Sequence, residues 1–310
     1  MGRYFIKRIL FLIPTILAII FIMYGIVSLT PGDPAHVILG PQATPEAYAN
    51  LNRELGYDQP FVVKYVNYVI NLFKGDLGNS YLTGRPVFNE IMLRLPVTVT
   101  LAVSALLIAV MIGIPLGILA AVKQYSIQDF MGTFVAMLAA SIPGFWLGLL
   151  AIWLFSMHLG WLPSYGNDTW VHYILPAFTV AVPQAARLLR ITRTTMLETI
   201  RQDYVRTARA KGQTEGKVIF RHALKNALLP VITIAGMDFG YILGGTVVIE
   251  SVFSINGVGL QLLQAIQWKD APQIVGSVTF LGTLFVLVML VVDILYAYID
   301  PTIRARYQKG

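Results

Sequence analysis

The sequence predicts an all-α integral membrane protein with six transmembrane helices and both ends in the cytoplasm. Three observations carry that expectation. Of its 310 residues, 56% are apolar and 13% charged, about half the charged share of roughly 25% found in soluble domains. Apolar runs of spanning length recur along the chain. Lysine and arginine are gathered in segments that alternate with those runs, and 17 of the 23 fall on one side of the expected membrane, as they do in cytoplasmic loops.

The first span is expected at 9–29, behind Arg3, Lys7 and Arg8. A signal peptide shares that basic flank, but its apolar part is only about 7–15 residues long. The run is therefore read as an uncleaved span. As a helix it would rise about 31 Å, close to the roughly 30 Å hydrocarbon core. Further runs at 97–122, 130–157, 228–248 and 274–298 are also long enough to cross.

The stretch 173–186 has only 14 uncharged residues and carries Pro176 and Pro183, so length alone leaves it between a span and a re-entrant segment. Charge decides for a span over 173–189, with Arg187 snorkelling to the interface. Three cations precede the first span, Lys123 follows the second, ten lie from Arg187 to Lys225, and three follow Asp300. With six crossings all of these share the cytoplasmic side. The short outer loops hold only Lys269, and the other five cations lie in the extracytoplasmic segment 31–96, which is too long for the charge rule to apply.

Within 31–96, Pro60 opens an expected amphipathic helix with Phe61, Tyr65, Tyr68, Val69 and Leu72 at helical spacing. It should lie on the membrane surface or cap the bundle, as a structural lid or as a docking surface. A second short helix is expected at 86–93, with Pro86 in its first turn. No repeat or low-complexity tract divides the chain, so 1–310 is read as one domain.

Several chemistries are unsupported. The chain has no cysteine, hence no thiolate site or disulfide framework. It has neither a G-x-x-x-x-G-K-[ST] phosphate cradle nor an H-E-x-x-H helix. His36, His158, His172 and His222 are scattered over loops on both sides. No catalytic site, metal site or cofactor bound by this chain is expected. The net charge of +7 follows from the membrane rule, so nucleic acid is not an expected partner and the lipid bilayer is.

Inside the spans, Gly113 and Gly117, Gly144 and Gly148, and the series Gly236, Gly240 and Gly244 put small residues on one helix face, where backbones can approach closely. The series places the fifth span inside the bundle, beside any conduit. Asp238 and Asp293 are carboxylates within spans. Facing lipid would cost each about 2.5–3.5 kcal/mol or more, so each should face protein or water. For Asp238 two readings stand: it lines a translocation path and meets a cationic group of the solute, or it is a protonated or hydrogen-bonded carboxyl packed on another helix.

The cytoplasmic segment is taken as 190–227, and the stretch 201–230 reads as helix, break, helix. Residues 204–210 form the first helix with Val205 and Ala208 on one side. Lys211, Gly212 and Gln213 break it, and Thr214 caps a second helix through His222 and Leu224. Physics alone also allows a basic amphipathic element resting on anionic lipid.

YVRTARAKG (204–212) and RHALKNALLP (221–230) closely resemble the cytoplasmic signature of permease subunits in dipeptide and oligopeptide ABC importers, the peptide/opine/nickel branch. TPGDP (30–34), VIESVFSINGVGL (248–260) and IDPTIR (299–304) resemble that family's other markers at family spacing. The wider superfamily's Glu-Ala-Ala, three residues, then Gly is here Arg206, Thr207, Ala208 and Gly212, a departure that resembles the peptide and nickel branch itself.

The resemblance implies the type I ABC importer transmembrane fold in the cytoplasmic (inner) membrane of a prokaryote. It also implies a peptide substrate, a second homologous permease, two ATPase subunits that bind ATP and Mg, and an extracytoplasmic solute-binding protein. By carry-over, Tyr204, Ala208, Lys211, Gly212, His222 and Asn226 belong to the ATPase-coupling segment, and hydrolysis lies in the partner subunits. Nickel, opine or glutathione import is the nearest alternative. An ion-coupled secondary transporter using Asp238 would need no ATPase, and a membrane-embedded enzyme would need convergent catalytic groups that the spacing does not offer.

Overall fold

A computed structural model describes residues 2–29 and 34–299. The TPGDP stretch, apart from Pro34, and all of IDPTIR beyond Ile299 lie outside the described residues, as does the C-terminal tail. The architecture is all helical. Among the described residues, five continuous helices are long and apolar enough to cross a membrane, and a bent pair makes a sixth crossing if it acts as one span.

The first span, α1 (Gly2–Leu29), stands at the edge of the bundle. Ile19 approaches Gly282 of the last span while Phe11, Ile22 and Ile26 remain exposed. After the first span come α2 (Pro34–Leu39), α3 (Pro45–Glu54) and α4 (Phe61–Phe73). The expected amphipathic helix is α4, but it rests against the side of α1 instead of lying over the bundle. Phe61, Tyr65 and Tyr68 meet the rings of Phe21 and Tyr24, and the Tyr65 hydroxyl donates to the Leu17 carbonyl at 3.2 Å. Tyr68 and Leu72 also join the outer cluster of Leu77, Val87, Ile91 and Leu281.

That cluster explains the first correction. Residues 86–93 do not form a separate helix. They are the opening turns of α5 (Val87–Val122), which continues through Pro96. An interior proline costs about 3 kcal/mol, and the full burial of Val87 and Ile91 offsets it, at roughly 1.5–3 kcal/mol per large apolar side chain.

The second correction concerns 130–157. It is not one straight helix. The helix α6 (Ile127–Ser141) ends where Pro143 holds Ile142 in extended geometry, φ −84° and ψ 125°, as a residue before proline prefers. The chain turns by 98° into α7 (Gly144–Ala151), which relaxes into a π-helical stretch, Ile152–His158.

The fourth expected span is a helix long and apolar enough to cross a membrane. A 3₁₀ turn, Trp170–Tyr173, leads into α8 (Ile174–Ile200), which passes Pro183 unbroken. It is the central post. Gly113 and Gly117 of α5 face Ala185, Leu188, Leu189 and Thr192 so closely that a Cβ at either glycine would lie 2.6 Å from an atom of α8. Such small-residue contact replaces the hydrophobic drive that lipid cannot supply. Leu101, Ala105, Ala109, Leu188, Val231, Phe253 and Ile255 fill the core between α5, α8 and the fifth span.

On the cytoplasmic side lie α9 (Asp203–Ala210) and α10 (Glu215–Lys217). The chain then runs through a π turn, Val218–Ala223, into α11 (Leu224–Gly245). The outer end is closed by α12 (Val247–Val252) and α13 (Val258–Gln267), and α14 (Ala271–Ile299) is the last span. Gly236 and Gly240 give the α14 side chains Val292 and Phe285 room to pack, whereas Gly244 faces open space. Buried Asp270 pins the outer loop to α14: the Ser80 hydroxyl donates to it at 2.5 Å and the Tyr81 amide at 3.0 Å.

Candidate coupling elbow and intramembrane ion pair

The cytoplasmic elbow is built from an apolar seam with a polar outer face. Val205 and Ala208 project from α9 onto Val218, Ile219, Ala223 and Ala227, and Met196 and Ala121 close the cluster from α8 and α5. The seam therefore ties the elbow to the inner ends of three spans. The chain turns at Lys211 and Gly212, and Gly212 has φ +73°, the left-handed region that glycine enters without steric cost. A Cβ there would meet nothing within 4 Å, so the demand for glycine is purely one of backbone.

Thr214 occupies the cap position but its side chain makes no capping bond. The following helix is also not a separate short element, because Glu215 to Gly245 forms one continuous rod with a π turn near its base. Two polar clasps close the elbow. The Asn226 amide donates to the Tyr204 hydroxyl at 2.7 Å, and Arg209 grips Glu215 with two bonds of 2.7 and 3.1 Å. Glu215 holds the Arg209 guanidinium above its ordinary pKa by that bonding. His222 pairs with Gln213 at 3.3 Å.

The structure thus brings Tyr204, Ala208, Lys211, Gly212, His222 and Asn226 into one protrusion. Ala208 is buried in the seam and His222 is half-buried, while Tyr204, Lys211 and Asn226 are exposed. Arg206, Phe220 and Arg221 are exposed beside them.

The other sequence candidate, Asp238 on α11, is fully buried, and Arg187 of α8 donates to its Oδ1 at 2.9 Å. Its Oδ2 is buried without a hydrogen bond. The cation facing this carboxylate belongs to the chain itself. Arg187 therefore does not merely snorkel, although half of its side chain stays exposed. Asp293 is half-buried on α14.

Two anchors were not singled out from sequence. Asp129 at the start of α6 accepts both a 2.5 Å and a 2.8 Å bond from Arg193 of α8. Glu250 of α12 is fully buried and accepts from the hydroxyls of Thr98 (2.9 Å) and Thr246 (3.0 Å) and from the Leu260 amide (2.8 Å). Gly257 and Gly259 lie directly against its carboxylate. The usable signal was each charge's position: a charge next to an apolar run demands a partner, and Arg187, Arg193, Asp129 and Glu250 all sit in such places.

Comparison with known proteins decides the family. Residues 113–305 match the binding-protein-dependent transport system inner membrane component, and residues 1–102 match the N-terminal portion of the corresponding membrane component. The chain belongs to this family of ABC importer permeases. It is 40% identical to the dipeptide transport system permease protein DppB of Alkalihalophilus pseudofirmus, over 98% of this chain and 100% of that one. It is 41% identical to the glutathione transport system permease protein GsiC of Salmonella typhimurium, over 98% and 99%. Both relatives lie in the peptide/opine/nickel branch.

Among solved structures, an inward-facing MetNI methionine ABC transporter aligns with a TM-score of 0.55 at 18% identity, covering 68% of this chain and 96% of that one. That likeness identifies the type I ABC importer fold. The protein is a multi-pass membrane permease of a binding-protein-dependent ABC importer, an inner membrane component by the family's description.

Proposed function

We propose that this permease imports peptides across the cytoplasmic membrane of a prokaryote as one half of the translocation path, with 1–310 acting as a single transmembrane unit. A second homologous permease supplies the other half. Two ATPase subunits hold ATP and Mg and dock on the elbow, and an extracytoplasmic binding protein delivers the solute. Residues 31–96 face that binding protein and 190–227 face the ATPases. Catalysis of hydrolysis is assigned to no residue of this chain.

One observation supports the reading above the others. The elbow is packed on itself and continuous with the spans: its buried seam joins α9 to α5, α8 and the base of the Glu215–Gly245 rod. A push on the exposed face formed by Tyr204, Arg206, Lys211 and Phe220 would reach the fifth span without passing through a flexible joint. This is how small movements at an effector surface become rigid-body motions. An element that merely rested on lipid would not need two polar clasps and a buried seam.

The absence of cysteine from the sequence makes the test direct. A single cysteine at Lys211, carrying a short crosslinker in intact cells, should capture an ATPase subunit. Capture of lipid alone would overturn the docking role. Glutathione import is the second reading, favoured by GsiC. Uptake of a labelled dipeptide, glutathione and nickel ion by the complete system separates the alternatives.

A further inference from the structure

A cavity of about 420 Å³ lies where two helix breaks face each other. One is the 98° turn at Ile142–Pro143 between α6 and α7, and the other is the interruption at Thr246 between α11 and α12. Broken backbone at membrane depth is tolerated where it is buried in protein or lines a water-filled space, and discontinuous helices form solute sites near the membrane midplane in other transporters. The wall contributed by α8 and α11 carries Thr179, Gln184, Tyr241 and Thr246, with Phe145 and Pro183 beside them. The Thr179 and Thr246 hydroxyl protons are committed to Leu175 and Glu250. Gln184 is half-buried and Tyr241 is 67% exposed, so both offer a donor and an acceptor to the space.

The Arg187–Asp238 pair continues this wall. Arg187 follows Gln184 by three residues on α8, and Asp238 precedes Tyr241 by three on α11, so each pair shares a helix face. Because α8 descends toward the cytoplasm and α11 rises from it, the ion pair lies three residues, roughly 4.5 Å, to the cytoplasmic side of Gln184 and Tyr241. Asp238 takes one bond from Arg187 at 2.9 Å, and half of the arginine side chain remains exposed. Lipid contact would cost that charge about 2.5–3.5 kcal/mol or more, so this face must be wet or covered by protein. A guanidinium carries five donors, and those not given to Asp238 suit a carboxylate.

We propose that this cavity is a resting site for the peptide in transit, with Gln184 and Tyr241 bonding its amide groups and Arg187, oriented by Asp238, holding its terminal carboxylate. That step of roughly 4.5 Å is spanned by between one and two residues of extended chain, at about 3.3–3.6 Å each, so an amide at the upper level leaves a terminal carboxylate within reach of the guanidinium. The volume falls within the roughly 300–1,000 Å³ of small-molecule sites. Asp238 is a positioning residue in this scheme. The inference rests on the peptide-import reading and adds the residues that touch the substrate.

The test uses the complete transporter in proteoliposomes, with saturating dipeptide-loaded binding protein, and measures dipeptide delivered per ATP hydrolysed. Arg187→Gln should lower that ratio at least about fivefold, Arg187→Lys should recover part of it, and Gln184→Ala and Tyr241→Phe should each lower it about two- to threefold. A purely structural role would reduce uptake and hydrolysis together and leave the ratio unchanged. An unchanged ratio in Arg187→Gln, Gln184→Ala and Tyr241→Phe overturns the site while peptide import stands. If Arg187→Gln fails to assemble, Gln184→Ala and Tyr241→Phe decide. Wild-type transporter that delivers no dipeptide overturns the peptide reading and the site with it.

Discussion

Replacing Gly212 isolates the mechanical role of the elbow, because its φ of +73° is left-handed while a Cβ would clash with nothing within 4 Å. Any penalty is therefore conformational. It should be about 1 kcal/mol for alanine and reach about 2–3 kcal/mol for valine, whose branched Cβ is least tolerant of this region. Asparagine, which enters it more readily, should cost less than alanine. The contacts that resist relaxation are the Asn226–Tyr204 bond, worth about 0.5–1.5 kcal/mol, and the exposed Arg209–Glu215 pair, at most about 1 kcal/mol.

Strain from valine thus matches or exceeds the two clasps together, and they should open before the apolar seam does. A shift of 2–3 kcal/mol moves an equilibrium by more than tenfold. We expect ATP-driven uptake to fall in the order Gly, Asn, Ala, Val, by about tenfold or more at Val, with membrane insertion unchanged. Uptake in whole cells and protease accessibility of 203–217 measure both ends of the argument. Normal uptake in Gly212→Val with an opened elbow would refute mechanical transmission, and normal uptake with a closed elbow would refute the strain estimate.

Three further outcomes follow from the packing. Asp129→Ala leaves Arg193 without its bidentate partner at a site where their side chains are only 6% and 26% exposed; thermal unfolding in detergent should show a loss toward the lower end of the roughly 3–5 kcal/mol typical of broken buried pairs, and Asp129→Ala with Arg193→Met should recover part of it. Gly117→Leu drives a side chain into Leu189 and Thr192 of α8 and should lower stability by at least about 1–3 kcal/mol, read by the same unfolding assay, whereas Gly244→Leu faces open space and should not. Glu250→Ala removes the acceptor shared by Thr98, Thr246 and Leu260, at about 1–3 kcal/mol for each donor left buried and unsatisfied; hydrogen exchange over 257–267 should accelerate while exchange in α9 does not.

The sequence alone determined that this chain lies in a membrane, where most of its crossings fall and where its cytoplasmic elbow bends. Those properties follow from local quantities: run length, the sign of charge between runs, and the backbone freedom of Gly212. The fourth crossing was legible even though 173–186 is short, because ten cations on its far side admitted no other arrangement. Residues 86–93 and the second elbow helix were read as short elements because Pro96 interrupts the first pattern and the second was read only within the cytoplasmic segment, apart from the fifth span. Tertiary burial of Val87, Ile91, Val218 and Ile219 instead carries both into longer rods.

The tertiary structure alone decided which helices touch and which charges meet. Arg187 and Asp238 are 51 residues apart, and Asp129 and Arg193 are 64 apart; nothing local to either partner names the other. The turn at Ile142 is written in the proline that follows it, but its opposition to the break at Thr246, which makes a cavity, depends on how α7, α8 and α11 pack. Periodicity and charge act over a few residues along the chain, whereas a site for a solute is made by side chains that only packing brings within reach of one another.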